Sequence, residues 1–126
     1  MNVEITDKVL TIQRQLMLNL DIATFFSWGV NKMKILLFRN MPTLGLNVSG
    51  LLHKGWVYIS LNEGMDLYEI TLLTSNYRVI KTIDEIYCDQ LGTIVDQLVE
   101  RAPGMTDSEY ANAIQVEELK RLGVLK

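Results

Sequence analysis

The stretch from Trp56 to Ile83 constrains the fold most, because runs of β-forming residues alternate there with turn residues. Connections as short as these join antiparallel neighbours, since a parallel crossover needs about a dozen or more residues. The stretch therefore predicts a β-meander, a sheet whose strands follow one another in chain order. The predicted strands are Trp56–Leu61, Leu67–Leu73 and Arg78–Ile83, joined by Asn62–Asp66 and Thr74–Tyr77.

The residues before the meander predict one helix and two further strands. Apolar residues recur every three or four positions over Val3–Leu18, which is the spacing of a helix with one buried face. Lys34–Arg39 is rich in β-forming residues, and Met41-Pro42-Thr43 is predicted to break this strand. A second, shorter strand is predicted over Leu46–Ser49, between two glycines.

The segment from Asp21 to Gly29 supports two interpretations. Its larger side chains alternate like those of a strand, at Ile22, Thr24, Phe26 and Trp28. Asp21 is equally suited to cap the start of a short buried helix, because its carboxylate accepts hydrogen bonds from free backbone N–H groups. The sequence does not separate helix from strand here.

The residues after the meander predict two helices, each beginning at a capping box. Thr82 and Glu85 have the spacing at which two side chains satisfy each other's free backbone N–H groups, so a helix is predicted to begin there. Thr106 and Glu109 repeat the pattern before a helix that ends near Leu122, with scattered apolar positions typical of a peripheral helix. The buried stripe of the first helix is predicted at Tyr87, Leu91, Ile94, Val95 and Leu98, and the end signals are Pro103-Gly104 and Gly123.

These elements predict a single α+β domain over residues 1–126. It contains an antiparallel sheet of four or five strands, one N-terminal helix and two C-terminal helices, with helix 106–122 at the periphery. Alternation along the strands is expected to place Trp56 and Tyr58 on one sheet face with Tyr68 and Ile70, which leaves both faces substantially apolar. Helices must then cover both faces or a second copy must cover one, so we expect a homodimer.

Length and composition indicate one ordered domain that needs neither disulfides nor metal for its core. The chain has 126 residues, of which 48% are hydrophobic and 21% charged, and it holds one cysteine. Glu4 and Asp7 lie where a signal peptide would carry basic residues, so a cytoplasmic location is expected. The longest uncharged stretch, 40–52, contains Pro42 and two glycines, and no membrane segment is predicted.

The residue types that usually carry catalysis or bind metal are sparse. His53 and Cys88 are single, their spacing supports no nucleophile and base pair, and the acidic residues provide no paired metal ligands. Gly45 and Gly50 have the interval of a phosphate-binding loop, but Leu51-Leu52 stands where lysine and serine or threonine are required. We therefore predict no metal, no cofactor and no enzyme activity.

Charge is distributed unevenly along the chain, although the net charge is only −3. The segment 22–62 contains no aspartate or glutamate, which is a pattern that can mark a surface for an anionic partner. Aromatic residues lie between its basic residues, as in proteins that stack nucleic-acid bases. The candidate binding residues are Lys32, Lys34, Arg39, Lys54 and Trp28.

Four segments carry a family resemblance: Ser27–Met33, Trp56–Asn62, Asp66–Ile70 and Glu85–Leu91. They resemble, in the same order, motifs of small uncharacterised bacterial proteins often carried by phages and other mobile elements. The likeness covers about residues 5 to 100, and it implies structural motifs with no assigned activity or functional residue. The expected function is a non-enzymatic accessory or interaction protein, with a weak nucleic-acid-binding module and a small enzyme as alternatives.

Overall fold

A computed structural model describes residues 3–18, 20–101 and 105–122 of the chain. The described residues form an antiparallel sheet with helices before and after it, which confirms the predicted α+β class. The strands follow one another in the sheet in chain order, as a meander requires. The elements are α1 (Val3–Leu18), α2 (Ile22–Ser27), β1 (Lys32–Phe38), β2 (Met41–Ser49), β3 (Lys54–Asn62), β4 (Leu67–Leu73), β5 (Val79–Ile86), a 3₁₀ turn (Cys88–Gln90), α3 (Leu91–Val99) and α4 (Asp107–Arg121).

The chain turns from β1 into β2 earlier than the sequence predicts. Phe38 pairs with Met41, and the intervening Arg39 and Asn40 both have positive φ, at 52° and 64°. This is the geometry of a two-residue hairpin turn, which asparagine adopts more readily than most residues. The predicted break at Met41-Pro42-Thr43 is therefore wrong, and Pro42 lies inside β2.

The register of β3 against β4 differs from the predicted one by one residue. Trp56 pairs with Leu73, because the loop between the strands puts Asn62 opposite Leu67. Even-numbered residues of β3 therefore share a face with odd-numbered residues of β4, and a shift of one residue exchanges the two faces. The prediction that Trp56 and Tyr58 share a face with Tyr68 and Ile70 is wrong for this reason.

The main hydrophobic core lies on one face of the sheet, beneath α1 and α3. Val9, Ile12 and Leu16 of α1 are at most 1% exposed, and they pack in one cluster with strand residues and with α3. We call this side the core face, and the opposite side the outer face. The other fully buried members of the cluster include Leu46, Val48, Val57, Ile59, Ile70, Leu91, Val95 and Val99.

Residues 22–27 are helical, which settles the ambiguity at this segment. Asp21 caps α2, since its carboxylate accepts a hydrogen bond from the backbone N–H of Ala23 at 3.2 Å. Trp28 follows α2 and is completely buried, and its indole N–H donates to Asp96 Oδ1 at 2.9 Å. This bond ties the end of α2 to the middle of α3.

The predicted helix start at Thr82 and Glu85 is wrong, because both residues belong to β5. Thr82 pairs with Thr71 of β4, so sheet pairing overrides the local capping signal. The cap forms later, where Gln90 Oε1 accepts from the backbone N–H of Tyr87 at 3.0 Å. In the predicted buried stripe of this helix, Leu91 and Val95 are buried but Tyr87 is exposed. The predicted end signal Pro103-Gly104 lies outside the described residues.

Helix α4 begins close to its predicted position. The backbone N–H of Glu109 donates to Thr106 Oγ1 at 3.1 Å, which is one half of the predicted capping box. Ile114 and Val116 are exposed, consistent with a peripheral helix. The predicted stop at Gly123 lies outside the described residues. Within the described part of the chain, none of the helices combines the length and apolar character needed to cross a membrane.

Candidate functional site

A cleft with a volume of about 570 Å³ lies between α2, the β2–β3 loop, the end of α3 and α4. This volume falls within the range of small-molecule binding sites, roughly 300–1,000 Å³. The residues that determine its chemistry are Phe26, Ser27, Lys54, Glu100, Tyr110 and Glu117. We call this volume the cleft.

The floor of the cleft forms where the β2–β3 loop meets the end of α3. The backbone N–H groups of Leu52 and His53 donate to the carbonyl oxygen of Val99, at 2.8 and 3.2 Å. Gly50 permits this approach, because a Cβ atom at this position would collide with that carbonyl oxygen. The glycine that resembles part of a phosphate-binding loop is therefore required for packing.

Glu100 places a carboxyl group at the floor. Its side chain follows the last turn of α3, is 5% exposed, and accepts a hydrogen bond from the backbone N–H of Leu51 at 3.0 Å. Burial raises the pKa of Glu100, and the charge of Asp96 adds to this effect, although Leu51, Lys54 and Ser27 act in the opposite direction. Glu100 is therefore a weaker acid in the folded chain than a free glutamate side chain.

Two hydroxyl groups lie near this carboxyl. Ser27 Oγ donates to the carbonyl oxygen of Thr24 at 2.5 Å, so its single proton is already committed. Burial raises the pKa of the Tyr110 hydroxyl, and the nearby charge of Glu100 raises it further. The guanidinium of Arg101 lies 5.0 Å from the Tyr110 ring centroid, on the side of a second, smaller cavity. The cluster therefore contains an acid and two hydroxyls contributed by three helical elements or their ends.

Lys54 closes one side of the cleft. Its Nζ lies 2.9 Å from Glu117 Oε1 of α4 and donates to the carbonyl oxygen of Gly50 at 3.3 Å. A hydrogen bond to Lys54, with its positive charge, lowers the pKa of Glu117. Lys54 is the one predicted binding residue that lines the cleft among the described residues, and its charge is paired with Glu117.

Lys32, Lys34 and Arg39 lie away from the cleft. Lys34 Nζ is 4.3 Å from the Trp56 ring centroid and 4.2 Å from that of Tyr77, on the outer face. Burial lowers the pKa of Lys34, but hydrogen bonds to Tyr58 and Tyr77 outweigh burial and raise it overall. Lys32 is exposed on β1, and the Arg39 guanidinium lies over the Phe38 ring in the β1–β2 turn.

Trp28 must be removed from the candidate site. Its side chain is fully buried in the main core, and its N–H is engaged by Asp96. A base or other planar ligand cannot stack on a ring that has no accessible face. The sequence proposes Trp28 as a candidate binding residue from its basic and aromatic surroundings, and these do not reveal that a tryptophan directly after a partly exposed helix is buried.

The outer face is already covered by its own side chains. Trp56, Tyr58 and Leu73 are 6%, 4% and 2% exposed, and Tyr77 stacks on Trp56 at a centroid distance of 5.6 Å. Beneath them Thr43 Oγ1 and Ser60 Oγ share a hydrogen bond at 2.7 Å. Much of the apolar outer face is therefore covered within the chain, although Val79, which pairs with Leu73, is 43% exposed.

His53 and Cys88 do not meet in the cleft. His53 is buried, with its Nε2 hydrogen-bonded to the carbonyl oxygen of Trp56 at 3.1 Å, whereas Cys88 is exposed beyond the end of β5. Neither residue lines the cleft. Among the described residues, no group of three or more histidine, cysteine or acidic side chains has the geometry to hold a metal ion.

Comparison of the chain with protein-family models, with curated proteins and with solved structures finds no match. The interpretation of the site therefore depends on its geometry. Sequence reasoning missed Ser27, Glu100 and Tyr110, because they are far apart in the chain and form no motif. The available signal was weak: Glu100 is an acidic residue directly after the apolar stripe of α3.

Proposed function

We propose that this chain is a non-enzymatic binding protein and that the cleft between α2, the β2–β3 loop, α3 and α4 takes a small ligand. The observation that carries the proposal is an open volume of about 570 Å³ with a nearly buried carboxyl at its floor. A cavity of ligand size with a few convergent polar groups is the usual form of a binding site. An ionisable group with a shifted pKa in a cleft is itself an indication of a functional site.

Binding is favoured over catalysis by the groups that line the cleft. Ser27 lines the cleft together with Glu100, but its hydroxyl donates to the Thr24 carbonyl oxygen. Activation of a serine requires a base that accepts that proton, and His53 points to the Trp56 carbonyl oxygen. An accessory role in a mobile element, which the family resemblance implies, belongs to the same proposal.

Nucleic-acid binding through segment 22–62 is the weaker alternative. Lys54 is paired with Glu117, and Lys34 lies against its own aromatic neighbours, so the basic residues do not form one free patch. A protein that makes three or four phosphate contacts would lose affinity with salt at a slope near −3 on logarithmic axes. A salt titration with a labelled oligonucleotide tests this alternative directly.

The proposed function can be tested by NMR with a mixture of small fragments. We expect backbone amide shifts to concentrate at Leu51, Glu100 and Tyr110, which surround the cleft. In Ile114→Trp, the larger side chain should fill the cleft and suppress these shifts. Val116→Trp, an exposed residue of α4 that does not line the cleft, is the matched control. Shifts that persist in Ile114→Trp, or that concentrate elsewhere, would refute the proposed site.

A further inference from the structure

The cleft combines apolar walls with an acidic floor. Phe26 and Ile114 line the walls and are 71% and 38% exposed, so both have apolar surface that a ligand can contact. Glu100 lies at the floor with its carboxyl nearly buried. A ligand that fits this arrangement has an apolar body and a polar head group.

The protein offsets the negative charge of the Glu100 carboxylate only in part. Burial has the largest effect on the Glu100 carboxyl, and the negative charge of Asp96 raises its pKa more than the positive charge of Lys54 lowers it. Lys54 is itself paired with Glu117 at the edge of the cleft. Glu100 therefore shares the nearby positive charge of Lys54 with a second carboxylate, and a further cation would stabilise its ionised form.

We propose that the ligand of this cleft is a small primary amine with an apolar chain, whose ammonium group binds the Glu100 carboxylate while the chain contacts Phe26 and Ile114. This inference rests on the proposed function. An ammonium beside Glu100 forms a charge-assisted hydrogen bond that stabilises the ionised acid. A ligand carboxylate in the same position would face the carboxyl of Glu100 and would be repelled once Glu100 is ionised.

The proposal predicts a defined pH dependence. Binding requires an ionised Glu100, so the affinity for an amine should rise as the pH rises through the raised pKa of this residue. Burial raises the pKa of Tyr110, which keeps this hydroxyl neutral over the same range. The charged or titratable groups that face Glu100 or line the cleft with it are Asp96 of α3, Lys54 of β3, and Tyr110, Glu117 and Arg121 of α4.

Isothermal titration calorimetry of the full chain with n-hexylamine, 1-hexanol and hexanoate tests the inference. At pH 7 we expect the amine to bind at least about tenfold more tightly than the alcohol, and hexanoate to bind most weakly. Glu100→Gln should reduce the amine to the affinity of the alcohol, because the neutral amide keeps the shape but not the charge. Glu109→Gln makes the same charge change on the exposed surface of α4 and should leave the tenfold preference intact.

The outcomes separate this inference from the proposed function. Equal affinities for the three probes, or a preference for hexanoate, would overturn the amine assignment while leaving the cleft as a binding site. Absence of binding by all three probes would also overturn it, and the fragment shifts at the cleft would then decide the proposed function independently.

A melting curve for Glu100→Gln that matches the parent chain excludes unfolding as the cause of lost binding. Should the variant unfold, the pH dependence of amine binding by the parent chain decides, and a constant affinity across the acidic range would overturn the inference.

Discussion

The outer face of the sheet and the cleft both contain lysine and aromatic side chains, but the cleft also places a buried carboxyl group beside open space. On the outer face, Lys34 contacts Trp56 and Tyr77, and the aromatic rings pack on one another. In the cleft, a buried Glu100 borders an open volume of about 570 Å³. Open space beside a buried carboxyl group identifies a candidate binding site better than the presence of lysine and aromatic residues does.

The difference between the cleft and the outer face depends first on the close packing of the β2–β3 loop against α3 at the floor of the cleft. Gly50→Ala should destabilise the chain by about 3 kcal/mol, because the added methyl group collides with the Val99 carbonyl oxygen and must displace the loop. Gly64→Ala is the matched control, since the nearest atom to an added Cβ there is Asn62 Oδ1 at 3.6 Å. Urea unfolding of both variants measures the difference. Equal stabilities would show that the loop does not need this close contact.

The second test concerns the buried acid. Because the pKa of Glu100 is raised above its ordinary value of 4.5, folding favours its protonated form. That contribution to stability is fully present below pH 4.5 and is lost as the pH rises through the raised pKa, with a slope of at most about 1.4 kcal/mol per pH unit. Glu100→Gln should remove this decline, whereas Glu109→Gln should retain it. Chemical unfolding between pH 4 and pH 8 provides the measurement, and parallel curves for the parent and Glu100→Gln would contradict the assignment.

The smallest expected effect lies on the outer face. Lys34→Met should destabilise the chain by about 0.5–1 kcal/mol, because it removes a cation from the rings of Trp56 and Tyr77. Lys32→Met, at an exposed position of the same strand, is the control and should leave stability nearly unchanged. A double-mutant cycle with Tyr77→Leu isolates the pairwise energy. Zero coupling energy between Lys34 and Tyr77 would show that this contact does not stabilise the outer face.

Local patterns predicted the elements well where local and tertiary preferences agree. The helix Val3–Leu18 and the strand Leu67–Leu73 match their predicted bounds, because each has a regular period over its whole length. Prediction failed at Thr82 and Glu85, where a capping pattern lies in a strand that pairs with β4. The β3–β4 register failed for a similar reason, since it depends on the loop geometry and not on the strand residues.

The candidate site was much harder to predict than the fold. Lys54 was identified from its charge, but its partner Glu117 lies in a different helix far along the chain. Ser27, Glu100 and Tyr110 converge only after the β2–β3 loop is bonded to α3. The homodimer stays a prediction that sedimentation velocity can test, and the burial of Trp56, Tyr58 and Leu73 within the chain weakens the argument on which it was based.

The most direct test of the account is a carbon-13 NMR titration of the glutamate side-chain carboxyls, with and without n-hexylamine. In the free chain, we expect the Glu100 carboxyl to titrate above its ordinary pKa of 4.5, because it is buried beside Asp96. Adding the amine should lower that pKa, since an ammonium stabilises the carboxylate. A Glu100 pKa at or below 4.5 that the amine leaves unchanged would contradict two claims: that burial raises this pKa, and that Glu100 binds the amine.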